Sequence, residues 1–142
     1  MKISNWGNYP VIDAKVFSPK ELPSGSFIAR GLGRSYGDAS LAPQIIDSRL
    51  SFSNEVELID DLLIADAALS LKELLEHIVP KGYFLPVSPG TKYVTLGGAV
   101  AFDVHGKNHH IAGSFGRYCE WIEIENSSKQ VIRCDRNNES KL

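Results

Sequence analysis

The sequence predicts a single domain of mixed α and β structure, and three observations support this prediction. Short apolar runs at residues 27–30 and 44–47 are bounded by Pro, Gly and Ser, which is typical of short strands. Residues 71–79 carry apolar side chains at helical spacing. The chain has 142 residues, which is enough for one ordinary domain with a hydrophobic core.

The first half of the chain reads as strands joined by turns. Residues 1–12 form an irregular arm, which we expect to dock through its aromatic side chains. A short strand is predicted at 14–17, another at 27–30, and a third at 44–47. The apolar runs 56–59 and 62–65 flank Asp60 and Asp61, which predicts a hairpin.

The clearest helix covers residues 71–79. Ser70 and Glu73 have the spacing of a capping box at its start, and Pro80 and Gly82 end it. The next apolar run, 83–85, predicts a strand. Strand, helix and strand in this order indicate a βαβ unit with a parallel pairing.

The second half contains more loops. Thr95 is a capping residue in front of small side chains, which predicts a helix start whose N–H groups favour an anion. Residues 103–110 form a polar run, 121–125 and 130–134 predict a hairpin, and 135–142 form a polar tail. There are no internal repeats.

Composition excludes several classes of protein. The formal net charge of −2 argues against a general binder of nucleic acid or membrane surfaces. No apolar run is long enough to span a bilayer. Cys119 and Cys134 lack metal spacing and suggest free thiols in a reducing, cytoplasmic setting. The last residues, 140–142, have the form of a peroxisomal address, which we interpret as accidental.

The stretch with the most distinctive chemistry is residues 30–38, which we call the glycine loop. Its three glycines, Gly31, Gly33 and Gly37, tolerate a positive φ and close approach to a ligand. Successive N–H groups in such a turn form a concave nest for anions, and Arg30 and Arg34 add forked donors suited to phosphate. The loop therefore predicts phosphate binding, with a tight surface turn as the alternative.

The spacing of the glycine loop excludes two common phosphate loops. The pattern from Gly31 to Gly37 has one residue too many for the dinucleotide fingerprint, and no helix pattern begins there. No lysine follows Gly37, as a Walker loop would require.

The polar run 103–110, which we call the histidine loop, has two interpretations. Asp103, His105, His109 and His110 could ligate a metal, but Gly106 and Lys107 lie among them and make this the weaker interpretation. A general acid–base or ligand-orienting histidine is favoured, since imidazole titrates near neutrality. Lys107 could neutralise a phosphate or an oxyanion, or be an ordinary surface lysine.

Four motifs in order resemble a known family. They are the glycine loop, Pro89-Gly90-Thr91, the segment 95–101, and the histidine loop with Gly113-Ser114-Phe115-Gly116. Together they resemble the FAD-binding (PCMH-type) domain of the vanillyl-alcohol oxidase family, over about residues 27–134. The branch that acts on sugar-lipids is the most similar, and sugar-lactone oxidases are more distant. The resemblance implies an α+β fold of small mixed sheets with flanking helices, and FAD extended between two subdomains.

The resemblance also implies roles for residues of this chain. The pyrophosphate would be held by Arg30, Gly31, Leu32, Gly33, Arg34, Ser35, Tyr36, Gly37 and Asp38. The diphosphate and ribityl region would contact Gly90, Thr95, Leu96, Gly97 and Gly98. The flavin would be lined by Phe102, Asp103, Val104 and His105. His105 and Lys107 would face the substrate as catalytic residues, and no metal is implied.

The implied activity is FAD-dependent oxidation of a secondary alcohol of a sugar or sugar-lipid, with hydride transfer to flavin N5. Sugar-lactone oxidases carry a flavin-linked histidine where this chain has Arg34, so the resemblance implies non-covalent FAD. It also implies that residues 1–142 are the N-terminal part of the FAD domain, without the substrate domain. We expect this part alone to bind FAD weakly or not at all, and not to turn over. The alternative is a non-catalytic nucleotide- or anion-binding module that uses the same glycine loop.

Overall fold

The computed structural model describes residues 1–137 and shows mixed helices and strands. The polar tail beyond residue 137, with the address-like residues 140–142, lies outside the described residues. The strands and helices, in chain order, are β1 (Lys2–Ile3), β2 (Ile12–Asp13), β3 (Lys15–Phe17), β4 (Ile28–Arg30), β5 (Gln44–Asp47), β6 (Val56–Ile59), β7 (Leu62–Ala65), α1 (Leu71–Ile78), α2 (Leu96–Ala101), α3 (His109–Ala112), β8 (Trp121–Glu125) and β9 (Val131–Asp135). Short 3₁₀ turns cover Ser48–Leu50, Val79–Lys81 and Phe115–Tyr118.

The strands within residues 1–137 form four small sheets. The largest has the order β3-β5-β4 with parallel pairing, so that Ile45 lies opposite both Val16 and Ile28. The other three are antiparallel pairs, β1 with β2, β6 with β7, and β8 with β9. The two predicted hairpins, β6-β7 and β8-β9, are confirmed.

The buried core lies around β5, α1 and the segments beside them. Its largest fully buried side chains are Ile45, Leu69, Leu71, Leu74 and Val87. Apolar residues at i, i+3 and i+7 give α1 one buried face, as the sequence pattern predicts. None of the helices in residues 1–137 has the length and apolar character needed to cross a membrane.

The predicted βαβ unit is wrong. Residues 83–85 form no strand, and Phe84 is 67% exposed. After α1 the chain continues through a 3₁₀ turn to Gly82, whose φ of 86° reverses its direction. Parallel pairing occurs instead among β3, β5 and β4, where the connections contain no α-helix.

The N-terminal arm also differs from its prediction. It is not wholly irregular, because β1 pairs with β2. It does not dock by burying its aromatic rings, since Trp6 is 58% and Tyr9 81% exposed. The arm is attached to the rest of the chain through Asn5, which is only 3% exposed.

The capping box of α1 is confirmed and is extended by an arginine from another element. Ser70 Oγ accepts from the Glu73 backbone N–H, and Glu73 Oε2 accepts from the Ser70 backbone N–H at 2.8 Å. Arg49 donates to both carboxylate oxygens of Glu73, at 2.9 and 2.7 Å. The hydrogen bonds from Arg49, followed by those from Ser70, lower the pKa of Glu73 to about 2.

We expect Glu73→Gln to lower the free energy of unfolding at neutral pH by about 2 kcal/mol, since it breaks a paired, charge-assisted cap. The folded-state pKa of Glu73 lies below its ordinary value of 4.5, so this stabilisation is present above pH 4.5 and is lost as pH falls toward 2. Urea unfolding at pH 7 and pH 3 should show the difference between wild type and variant shrinking at the lower pH. Glu76→Gln, on the same helix, is the control; a difference independent of pH would contradict the expectation.

Candidate functional site

The glycine loop follows β4 and turns through two left-handed residues. Gly33 has a φ of 64° and Gly37 a φ of 56°, a region that favours glycine. Gly33 is also buried, and a Cβ added to it would overlap the guanidinium of Arg30. A side chain at position 33 is therefore excluded both by conformation and by space.

Two backbone carbonyls of the glycine loop accept hydrogen bonds from the N-terminal arm, whereas the N–H groups of the loop are not used in this way. The Ser35 carbonyl accepts from the Trp6 backbone N–H at 3.2 Å, and the Gly37 carbonyl accepts from Asn5 Nδ2 at 3.1 Å. Over residues 1–137, no backbone N–H of residues 32–37 donates a hydrogen bond to another group of the chain. Six consecutive donors therefore remain for a ligand, which is what an anion nest offers.

Arg30 is engaged by the protein itself. Its Nη1 donates to Asn5 Oδ1 and to Ser40 Oγ at 3.1 Å, and its Nη2 donates to the Ser4 carbonyl at 2.7 Å. Burial lowers the pKa of Arg30 and is the largest influence on it, whereas the nearby charge of Asp47 raises this pKa. The structure thus gives Arg30 a place between the loop and the arm, and leaves its predicted phosphate contact a prediction.

Arg34 is the exposed arginine of the loop. Its guanidinium carbon lies 5.7 Å from the centre of the Trp6 ring, which is within range of a cation–π contact. The neighbouring predicted residues Tyr36 and Asp38 are exposed as well. These side chains are accessible to a ligand of the loop.

Gly31 joins the glycine loop to the start of α2. A Cβ at Gly31 would overlap the side chain of Thr95, which is 3% exposed and caps α2 by accepting from the Gly98 N–H at 3.1 Å. The two motifs are 64 positions apart in sequence and touch only because position 31 has no side chain. The structure therefore brings two of the predicted cofactor-binding segments together.

The start of α2 does not offer free N–H groups, which corrects one expectation. The Leu96 N–H donates to the Leu69 carbonyl and the Gly97 N–H to the Ala67 carbonyl, both at 2.7 Å. The Gly98 N–H is used by the Thr95 cap. These donors hold α2 against residues 67–69, so they cannot bind an anion in this conformation; contact of Thr95, Leu96, Gly97 and Gly98 with a cofactor remains a prediction.

The histidine loop packs against the turn at residues 86–90. Gly106 is buried, and a Cβ there would lie 2.5 Å from the Ser88 carbonyl oxygen. Asn108 Nδ2 donates to the Pro86 carbonyl at 3.2 Å. Ser88 Oγ is buried and has no partner among residues 1–137. Gly90, at the end of this turn, is exposed and has open space around it.

The predicted catalytic side chains are accessible. His105 and Lys107 are both exposed, and Lys107 forms no ion pair within residues 1–137. The His105 ring lies 5.0 Å from that of His109, centre to centre. His109 Nδ1 is 3.1 Å from the Gly106 carbonyl oxygen, a contact that fixes His109 toward the backbone of its own loop.

The residues predicted to line a flavin lie at the end of α2. Phe102 is 57% exposed and Val104 is half-buried. Asp103 has a φ of 42°, and its Oδ1 accepts from the Gly116 N–H at 2.7 Å. A hydrogen bond from the Ser114 side chain, with this one, lowers the pKa of Asp103. The carboxylate thus connects the histidine loop to residues 114–116.

Two cavities, of about 300 and 440 Å³, lie beside the β1-β2 pair, and only Arg30 of the predicted site residues lines either one. In the part of the chain that the structure describes, no three His, Cys, Asp or Glu side chains converge to hold a metal ion.

Sequence reasoning missed two buried polar residues that contact Arg30. Asn5 is 3% and Ser40 8% exposed, and Ser40 Oγ donates to Asn5 Oδ1 at 2.9 Å. Asn5 lies in a segment without periodicity, and Ser40 lies among small residues after the loop. Only the tertiary contact across 35 positions identifies them.

The chain is similar in sequence to known proteins over most of its length. A family model described as "FAD binding domain" matches residues 23–135. Decaprenylphosphoryl-beta-D-ribose oxidase of Mycolicibacterium smegmatis is 43% identical over 107 residues, which cover 73% of this chain and 23% of that protein. A Streptomyces coelicolor protein named "Uncharacterized protein in mprA 5'region" is 46% identical over 68 residues, covering 48% of this chain and 18% of that protein.

The chain therefore spans about a quarter of the length of the first of these relatives. The family match covers the glycine loop, the turn at 86–90, α2 and the histidine loop. The family predicted from these motifs is thereby confirmed, and FAD is its cofactor. The chain belongs to the FAD binding domain family.

Proposed function

We propose that the glycine loop binds the pyrophosphate of FAD. The observation that carries this proposal is the row of six N–H groups at residues 32–37 that donate to nothing else in the described chain. A diphosphate supplies several anionic oxygens that can accept from such a row, and the exposed guanidinium of Arg34 adds a positive charge beside it. The ligand therefore supplies acceptors for backbone donors that have no partner among residues 1–137.

The remaining cofactor contacts follow from the way the segments meet. Gly31 touches Thr95, and α2 leads directly from Thr95 to Phe102 and the histidine loop. We propose that FAD extends along this path in a fold of the vanillyl-alcohol oxidase type. Gly90 and the segment 95–98 would then contact its middle, and residues 102–105 its flavin end.

We further propose that the whole protein is an FAD-dependent oxidoreductase that acts on a secondary alcohol of a sugar or sugar-lipid. The name of the 43% identical relative, an oxidase of a decaprenylphosphoryl ribose, supports this substrate class. Bound FAD would supply the two-electron acceptor for the hydride that leaves the C–H bond of the alcohol.

Two side chains of the histidine loop are proposed to act on the substrate. His105 is exposed, and an imidazole can take the hydroxyl proton as the alcohol is oxidised. Lys107 is exposed and forms no ion pair within residues 1–137, so its ammonium can neutralise a developing or bound negative charge. Gly106 between them is buried against Ser88, which holds the two side chains on a fixed backbone.

The proposed binding can be tested with the 142-residue chain and three ligands: FAD, ADP and riboflavin. We expect FAD and ADP to bind because they share the pyrophosphate, and FAD to bind more tightly because of its flavin half. Calorimetry would measure the affinity for each ligand, and flavin fluorescence would measure the affinity for FAD and riboflavin. Arg34→Gln should weaken FAD and ADP alike, by about tenfold, whereas Lys20→Gln, an equal change of charge at another exposed position, should not.

The outcomes separate the proposal from its alternative. Equal affinity for ADP and FAD would favour a nucleotide-binding module without redox chemistry, and binding of neither would overturn the pyrophosphate site. Because arginine cannot form the flavin link that a histidine forms, we also propose that FAD is held non-covalently. Acid precipitation of the FAD-loaded chain should then leave the yellow colour in the supernatant; colour retained in the pellet would contradict this.

A further inference from the structure

We propose that Asn5 is the positioning residue of the phosphate-binding loop: Asn5 holds the Gly37 carbonyl and the Arg30 side chain, so that the N–H groups of the loop are set in advance for an anion. This inference rests on the proposed function of the loop. It adds a part of the chain, residues 1–22, that lies outside the range matched by the family model.

The burial of Asn5 sets it apart from the rest of the arm. Asn5 is 3% exposed, whereas the residues that follow it, from Trp6 to Tyr9, are all exposed. A buried amide is costly unless its donors and acceptor are satisfied. The amide of Asn5 is satisfied by groups that lie 25 to 35 positions away, at Arg30, Gly37 and Ser40.

The two ends of the Asn5 amide have different tasks. Its Oδ1 accepts from Arg30 and from Ser40 Oγ, which fixes the residues on either side of the loop. Its Nδ2 donates to the Gly37 carbonyl inside the loop at 3.1 Å. One side chain therefore ties the beginning, the body and the far side of the loop to a single point.

The arm adds a second contact of the same kind. The backbone N–H of Trp6 donates to the Ser35 carbonyl at 3.2 Å. The arm therefore donates hydrogen bonds to the loop carbonyls of residues 35 and 37. Within the described chain, the backbone N–H groups of residues 32–37 donate no hydrogen bond to the arm. Because the arm occupies the Ser35 and Gly37 carbonyls, these two oxygens are held away from an anion, and the N–H groups beside them need less reordering when the anion binds.

Arg30 takes part in the same set of contacts between the arm and the loop. Its donors are directed at Asn5, Ser40 and the Ser4 carbonyl. Gly33 lacks a side chain where the guanidinium passes, so the loop is folded around Arg30. The arginine therefore supports the loop from within, and Asn5 is the residue that connects it to the arm.

Asn5→Asp tests the inference with little change in packing. The aspartate keeps an acceptor for Arg30 and Ser40, so we expect the fold to persist, but it replaces the donor to the Gly37 carbonyl by an acceptor. Asn8→Asp is the matched control, because Asn8 is exposed in the same arm and the added charge is identical. Both variants would be studied as the full 142-residue chain, ¹⁵N-labelled, at a temperature where unfolding is absent.

The first measurement uses no ligand. We expect the heteronuclear NOE values of residues 32–37 to fall in Asn5→Asp and to stay at the wild-type level in Asn8→Asp. The second measurement is a titration with inorganic pyrophosphate, followed by the same backbone N–H signals. We expect Asn5→Asp to weaken pyrophosphate binding by about tenfold relative to Asn8→Asp.

The two proposals fail in different ways. If loop signals of the wild type do not shift with pyrophosphate, the pyrophosphate site is wrong, and the ligand-free NOE values still decide whether Asn5 orders the loop. If the wild type does respond and the two variants bind pyrophosphate equally, the role of Asn5 is overturned. Should Asn5→Asp unfold, Ser40→Ala would replace it. This variant removes the hydrogen bonds of Ser40 Oγ with Asn5 Oδ1 and Arg30 but keeps the bond from Asn5 to the Gly37 carbonyl, so it should lower the same NOE values by a smaller amount.

Discussion

Gly106→Ala should destabilise the chain by about 3 kcal/mol and displace the histidine loop from the turn at 86–90. The added Cβ would lie 2.5 Å from the Ser88 carbonyl oxygen, far inside van der Waals contact. This neighbour is backbone, so no change of side-chain rotamer relieves the overlap, and a segment of chain must shift. Because the Gly106 carbonyl also accepts from the His109 N–H at 3.2 Å, the shift would reach the histidines.

Urea unfolding measures the loss of stability, and the NMR signals of His105 and His109 report the displacement. Gly90→Ala is the matched control, since it lies in the contacting turn with nothing within 4 Å of its added Cβ. Equal stability of the two variants would show that Gly106 does not hold the loops together. Loss of FAD binding in Gly106→Ala with a wild-type fold elsewhere would in addition support a cofactor path across this contact.

Gly31→Ala should separate the glycine loop from the start of α2, at a cost of about 2 kcal/mol. The added Cβ would overlap the Thr95 side chain, whose Oγ1 caps the helix by accepting from the Gly98 N–H. Thr95 is 3% exposed, so its side chain has no open space to enter. The overlap must break the cap or push the loop away, and either result should weaken nucleotide binding.

A double-mutant cycle identifies the contact. Thr95→Ala alone should cost about 1 kcal/mol through loss of the cap. In the double variant the Cβ added at position 31 no longer overlaps a Thr95 hydroxyl. The loss of stability caused by Gly31→Ala should then largely disappear, so that the losses of the two single variants do not add. Gly7→Ala, with open space around its Cβ, is the control. Additive costs would mean that the loop and the helix start are not in contact.

Local patterns predicted the elements that local physics stabilises. The capping box of Ser70 and Glu73 and the apolar face of α1 follow from residues within one or two turns of helix. The hairpins β6-β7 and β8-β9 follow from adjacent strands and a short connection. The positive φ of Gly33 and Gly37 also agrees with the sequence, because it is a local property, whereas phosphate binding by the loop stays a prediction.

The failures share a cause, which is that the deciding contact is distant in sequence. An apolar run at 83–85 has strand composition, but no neighbouring strand pairs with it, and Phe84 stays exposed. The helix start at Thr95 has the residues of an anion site, but carbonyls of residues 67 and 69 take its N–H groups. Arg30 has the chemistry of a phosphate ligand, but Asn5, Ser4 and Ser40 take its donors.

The sequence by itself therefore determined the family and the cofactor class, through four motifs that resemble those of the family, and it predicted the segments of the candidate site. Only the tertiary structure decided which donors remain for a ligand. The hydrogen bonds of Asn5 Nδ2 and the Trp6 N–H to the loop, and of α2 to residues 67–69, join groups 27 to 32 positions apart. A backbone N–H can donate to a ligand only when no group of the protein accepts from it. Whether such a group lies within reach depends on the whole fold.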